Sequence, residues 1–222
     1  MEILEAVAKR HSVRSYTDKK IEGDVLAELL QEIDLCNKES GLNLQLITNE
    51  PDAFTGKLAE RGGFKGVQNY IAVVGKKAKD LSEKCGYFGE RIVLKAQMLG
   101  LNTCWVFATY NKRKTKCNIN KDEKLLCVIA IGYGETQGKP HRNCLIDSIF
   151  RLHGDMPSWF MEGLQCALLA PTALNKQNFL FTLLDNNKVK AEKRSKMCGD
   201  LNLGIAKYHF EIGAGDAKYE FV

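Results

Sequence analysis

Clustered chemistry is scarce in this 222-residue chain. The eight cysteines, at 36, 85, 104, 117, 127, 144, 166 and 198, form no C-x-x-C pair, and the four histidines, at 11, 141, 153 and 209, are scattered. A structural zinc site needs closely spaced ligands, so no metal is expected. No apolar run approaches the ~18 residues of a bilayer span, which excludes a transmembrane helix and a membrane partner. The first residues, Met1-Glu2-Ile3-Leu4-Glu5, lack the basic and apolar regions of a secretory signal, so a cytoplasmic location is expected. Nucleotide fingerprints are missing as well. "RGGFKG" (61–66) is rich in glycine and carries Lys65, but it lacks the G-x-x-x-x-G-K-[ST] order of a P-loop. It reads as a loop near a site. There is no G-x-G-x-x-G, and no nucleophile stands beside a base.

What is present is ordinary for a soluble globular protein: 27% charged and 45% hydrophobic residues. The net charge of +5 is mild, and much of it comes from Lys112, Arg113, Lys114 and Lys116 in "NKRKTK". Such a run reads as a solvated loop or as a patch for a nucleic acid or a phosphorylated cosubstrate. No aromatic interleaving or nucleic-acid motif accompanies it, so no nucleic-acid partner is expected. Most thiols lie in apolar stretches such as "TCWVF" and "LLCVIAI", where free cysteine behaves as a small hydrophobe. Reduced core cysteines are expected.

Four helices are legible. Asp24 can cap one whose face carries Val25, Leu26, Leu29, Leu30 and Ile33. Leu81, Cys85, Phe88, Ile92, Ala96 and Leu99 share a stripe on a long helix ending at Gly100. Phe160, Leu164, Ala167 and Leu168 mark a third, which Pro171 must stop. Leu201, Ile205, Tyr208 and Ile212 mark the fourth, ending near Gly213. Strands fall between them at 44–48, 70–75, 103–107, 126–133 and 179–184; two are almost wholly apolar, as strands buried on both faces are. The mixture is α+β, a central mixed β-sheet covered by helices.

The order of elements repeats faintly. At an offset of 135, Leu29, Ile33, Leu44 and Leu46 fall on Leu164, Leu168, Phe179 and Phe181; at 113, Gly86 and Ile92 fall on Gly199 and Ile205. Two pseudo-symmetric halves, approximately 1–140 and 141–222, are expected. No Pro/Ser-rich tract separates them, so they count as one domain, 1–222.

The densest polar stretch is "AKRHSVRSYTDKKI" (8–21), where Arg10, His11, Ser12 and Arg14 put four donors into five positions before the first nearby acid, Asp18. Arginine offers a fork of donors matched to phosphate oxygens, and charge-assisted bonds are about twice as strong as neutral ones. Alone, the stretch reads equally as a solvated basic turn or as a phosphate-monoester site.

It has company. "RHSVRSY" resembles the Arg-x-Ser-x-Arg-x-aromatic signature of the FMN-dependent nitroreductase family. "GERIVLKAQMLGLNTCWV" (89–106) resembles that family's long central helix and following strand. "LLAPTALNKQNFLFTLL" (168–184) is similar to its Ala-Pro-Ser-x-x-Asn-x-Gln-Pro-Trp segment, with Pro171, Thr172, Asn175 and Gln177 in register and Asn178-Phe179 replacing Pro-Trp. In most members the Pro-Ser…Asn segment follows the phosphate signature by a few tens of residues and completes the partner subunit's site. Here the early copy, "DLCNKESGLNLQL" (34–46), has lost Pro and Ser, and the intact copy lies in the second half. That order resembles a branch of the family in which one chain is folded like the whole homodimer.

The resemblance implies a nitroreductase-like fold and an FMN site formed within one chain, so that dimerisation is not obligatory. It implies that Arg10, Ser12 and Arg14 bind the phosphate and ribityl side of FMN, with His11 auxiliary and Arg14 reaching the N1/O2 edge of the ring. Pro171, Thr172 and Asn175 would flank the isoalloxazine. Lys139 and Arg142, in "GKPHRN", read as a second phosphate-binding pair or as a solvated loop. The implied activity is an FMN-dependent oxidoreductase, with FMN carrying the chemistry and no catalytic side chain. Electrons would pass from NADH or NADPH to a small nitroaromatic, quinone or similar acceptor. The alternative is a flavin-binding or regulatory protein with little turnover.

Overall fold

The computed structural model describes residues 1–222. The first half begins with α1 (Ile3–Lys9) and α2 (Gly23–Ser40), then β1 (Asn43–Ile47), α3 (Lys57–Arg61), β2 (Tyr70–Lys76), α4 (Leu81–Met98), β3 (Asn102–Val106) and β4 (Glu123–Gly132). The second half holds β5 (Phe150–Leu152), α5 (Ser158–Ala167), β6 (Phe179–Leu184), β7 (Lys188–Lys193), α6 (Gly199–Ala214) and β8 (Glu220–Phe221). The α+β expectation holds, and the strands form two sheets. One is antiparallel in the order β1-β2-β4-β3; the other, β5-β6-β7-β8, mixes parallel and antiparallel pairs. No helix is long and apolar enough to cross a membrane.

The apolar strands lie where their composition puts them, at the centre of the first sheet. Alternate residues of β2 serve different cores: Ile71 and Val73 face the helical layer, whereas Tyr70, Ala72 and Val74 face the layer built by residues 53–67 and 104–110. In β4, Cys127, Ile129 and Ile131 take the first side and Val128 and Ala130 the second. Burial on both faces requires near-continuous hydrophobicity. The second sheet has one wet face, so β7 alternates lysine with smaller residues, and only Val189 is fully buried. Its inner face packs Phe181 on Phe210, stacked with centroids 4.7 Å apart.

The two halves meet where α4 crosses α6. A methyl group added at Gly86 would overlap the Leu201 carbonyl oxygen and press on the Ile205 amide. One added at Gly204 would overlap the Glu83 carbonyl oxygen and press on the Tyr87 amide. The two contacts are equivalent at an offset of 118, which carries Glu83, Gly86 and Tyr87 onto Leu201, Gly204 and Ile205. The offset of 113 expected from the helix patterns is therefore corrected to 118: apolar stripes match at several shifts of about one helical turn, and only backbone contact selects one.

Either Gly→Ala substitution must force the helices apart, at a cost of about 1–3 kcal/mol or more. Once α4 and α6 are separated, the second methyl group meets less resistance. Urea denaturation of Gly86→Ala, Gly204→Ala and the double variant is expected to give a combined loss clearly smaller than the sum of the two.

Candidate functional site

Residues 12–16 run extended beside the sheet. Ser12 bridges Thr103 in parallel, the Val13 amide donates to the Thr103 carbonyl at 3.0 Å, and the Lys65 amide donates to the Arg14 carbonyl at 2.9 Å. In extended chain, successive side chains take opposite sides. Val13 enters the core, while Arg10, Ser12 and Arg14 open onto one cleft of about 530 Å³. The expected loop at 61–66 is stitched to this segment, since the Tyr16 amide also donates to the Lys65 carbonyl at 3.0 Å.

The opposite wall comes from the second half. Pro171, Thr172, Leu174 and Asn175 line the same cleft. Leu174, Asn175 and Gln177 have φ of 53°, 52° and 48°, a left-handed stretch unusual outside glycine. Gln177 holds it in shape. Its Nε2 donates to the Leu168 carbonyl at 2.6 Å, its Oε1 accepts from the Cys144 amide at 2.7 Å, and its backbone N–H donates to Thr172 Oγ1 at 3.0 Å. The Ala173 amide donates to Asn202 Oδ1 on α6 at 3.0 Å. A third wall, Gly138–His141, carries Lys139. No aspartate or glutamate lines the cleft. Arg10, Arg14 and Lys139 give it a strongly cationic surface.

Seven of the nine expected residues thus share one cavity; His11 and Arg142 do not. His11 falls on the other side of the extended segment, in a smaller pocket of about 130 Å³ with Val7, Pro140 and Leu169. Burial, then the Arg10 and His141 charges, hold its pKa below the ordinary histidine value. Arg142 is exposed and contributes only its carbonyl, which accepts from Asn175 Nδ2 at 2.7 Å. Asn175 thereby ties the second wall to the third.

A narrower apolar arm of about 120 Å³ opens beside the polar cleft and shares Ser12, Arg14, Pro171, Thr172 and Leu174 with it. Trp105, Phe107, Leu201 and Ile205 line this arm. The sequence pattern assigns Trp105 and Phe107 to the core. Phe107 is instead 51% exposed, because β3 ends at Val106, while Trp105 is partly buried, with its indole Nε1 donating to Glu90 Oε2 at 2.8 Å.

Behind Arg10 lies a pair that the sequence pattern reads separately, Glu90 as a capping or salt-bridging residue at a helix start and His209 as a satisfied, partly buried histidine in mid-helix. Glu90, in mid-α4, is fully buried, and its Oε1 lies 2.8 Å from Nε2 of the equally buried His209 on α6. Arg10 is 3% exposed, with Nε 3.8 Å from Glu90 Oε1 and without a hydrogen-bond partner. Burial lowers the Arg10 pKa, opposed by the Glu90 charge. The one available signal was the set Gly86, Glu90, Val93 and Gln97, a second buried helical face containing an acid.

The pseudo-symmetric position is built otherwise. At the offset of 118, Cys198, Leu201, Asn202 and Ile205 of the apolar arm correspond to Asp80, Glu83, Lys84 and Tyr87, which line a pocket of about 300 Å³. There Lys207 pairs with Glu83 at 2.8 Å and covers the Phe221 ring at 4.5 Å, and the Tyr87 hydroxyl donates to Glu211. Acids predominate, and no arginine-rich segment reaches it.

Comparison with known proteins identifies the family and the fold. Residues 2–214 match the family model described as "Putative TM nitroreductase". A putative nitroreductase from Thermotoga maritima is 21% identical with a TM-score of 0.65, covering 96% of this chain and 83% of that one. A putative nitroreductase from Desulfovibrio desulfuricans, solved in complex with FMN, is 17% identical with a TM-score of 0.55; 71% of this chain covers 99% of it. An FMN-dependent nitroreductase from Clostridium difficile is 20% identical with a TM-score of 0.51, over 63% of this chain and 91% of that one. No curated protein sequence matches. With a family model spanning nearly its whole length, the chain belongs to the nitroreductase family of that description.

Proposed function

We propose that the cleft holds FMN and that the protein is an FMN-dependent NAD(P)H oxidoreductase. The observation that carries the reading is the cleft itself: an acid-free cavity of about 530 Å³ with Arg10, Ser12 and Arg14 on one wall and Pro171, Thr172 and Asn175 on the other. Its volume falls in the roughly 300–1,000 Å³ range of cofactor sites. Arg10 adds a buried guanidinium whose Nε has no partner within the chain, and a phosphate would satisfy the group. Lys139 adds charge from the third wall. Arg14 lines both the polar cleft and the apolar arm, where a phosphate-bearing chain would join a planar ring. When bound, FMN supplies two-electron chemistry, accepting hydride from NADH or NADPH and reducing a small nitroaromatic, quinone or similar acceptor. The chain's own residues bind, orient and set the charge around it. Both main walls come from one chain, so the site needs no second subunit.

Purified protein is expected to be yellow and to release FMN rather than FAD or riboflavin. Addition of NADH or NADPH under anaerobic conditions is expected to bleach the colour. A coloured protein that neither cofactor bleaches would instead be a flavin-binding or regulatory protein. Arg10→Ala is expected to cost roughly 2–4 kcal/mol of FMN affinity, read by fluorescence titration, and to leave riboflavin affinity little changed.

Stoichiometry tests the difference between the two pseudo-symmetric positions. Because one position has the cationic walls and the other a Lys207–Glu83 pair, FMN titration is expected to saturate at one flavin per chain. Two would contradict the assignment.

His11 gives a pH test of the flavin-free protein. Its pKa is lowered in the folded chain, so below about 6.5 the unfolded chain takes up the proton first and stability falls with pH. His11→Gln lacks this penalty. Its Tm relative to wild type is expected to rise between about pH 7 and pH 5, and a constant difference would show that His11 is unperturbed.

A further inference from the structure

Both ring nitrogens of His209 face oxygens: Nδ1 the Cys166 carbonyl at 3.2 Å, and Nε2 the Glu90 carboxylate at 2.8 Å. For both contacts to be hydrogen bonds, each needs a proton, one more than a neutral imidazole carries. The Glu90–His209 pair therefore holds that extra proton between two fully buried side chains. Cys166 lies in the last turn of α5, where the helix dipole favours positive charge. Glu90 Oε2 is occupied by the Trp105 indole. The charged group that remains beside the pair is Arg10, 3.8 Å from Oε1; the other titratable groups whose charge would act here are Cys104 on Arg10 and Tyr208 with Glu90.

We infer that Glu90 and His209 are positioning residues that keep the Arg10 charge free for an anion in the cleft. His209 and Arg10 compete for one carboxylate oxygen. While His209 holds it, Arg10 stands at a distance too long for a hydrogen bond, and its Nε is left unpaired. With the extra proton in place, the group of Arg10, Glu90 and His209 carries a net charge of +1. Without that proton it is neutral, and a single neutral imidazole N–H is left to serve both Glu90 and the Cys166 carbonyl. The proton thus sets whether this wall attracts a phosphate. The inference rests on the phosphate being held by Arg10.

The test is the ratio of FMN to riboflavin affinity, which cancels losses of packing common to both ligands. His209→Gln keeps a donor toward Glu90 but not the charge, and is expected to lower the ratio about tenfold. Glu90→Gln removes the competing carboxylate and is expected to leave the ratio unchanged or raise it. A merely structural role would weaken both flavins together in both variants, and equal losses would overturn the inference. If His209→Gln does not fold, Glu90→Gln supplies the test: a ratio that falls in that variant would overturn the inference. If Arg10→Ala leaves the ratio intact, the phosphate assignment fails first and this inference with it. An Arg10 effect with equal losses of both flavins in the 90 and 209 variants defeats only this inference.

Discussion

Backbone meets backbone where Gly86 faces Leu201 and Gly204 faces Glu83, and the rest of the molecule is arranged around that crossing. The close approach brings Glu90 of α4 against His209 of α6. It also fixes the first turns of α6, from which Leu201 and Ile205 line the apolar arm and Asn202 anchors the loop of the second wall. A larger residue at either glycine would change the spacing between the walls. The fold and the site therefore share one constraint.

The cleft depends on keeping acid away from its cations. No carboxylate lines it, and the nearest buried one, Glu90, is engaged by His209 and Trp105. A buried carboxylate without partners would cost several kcal/mol, so both partners are needed for the fold as well as for the charge of the wall. At the pseudo-symmetric position the balance is reversed. Lys207 meets Glu83 there, and Glu211, its pKa raised by burial, accepts from Tyr87. Related helices thus carry two different sites, one lined by unpaired cations and the other by paired acids and lysines.

Much of this was legible in the residues because it follows from periodicity. The doubly buried strands, the long central helix and the alternation that sends Arg10, Ser12 and Arg14 one way and Val13 the other are local properties of the chain. The same alternation placed His11 away from the cleft, a consequence that donor density alone concealed. β7 was missed because its lysines face water and leave only a weak apolar signal. Glu90 and His209 read from the sequence only as a capping or salt-bridging acid and a satisfied, partly buried histidine, each ordinary on its own helix, and their joint meaning arises only from a contact 119 residues apart in sequence. The helix register erred by five residues because amphipathic stripes do not report which turn touches which. The role of Gln177, which ties together the Leu168 carbonyl, the Cys144 amide and the Thr172 hydroxyl, also emerges only in three dimensions.

The central claim is that residues 10–14 and 171–175, about 160 residues apart in the chain, face one flavin. Hydrogen exchange of the flavin-free protein with and without added FMN tests it most directly. The account predicts slowed exchange in both segments 8–16 and 170–178. Slowing confined to residues 8–16, with 170–178 unchanged, would contradict it and leave an isolated anion site at the N-terminal segment.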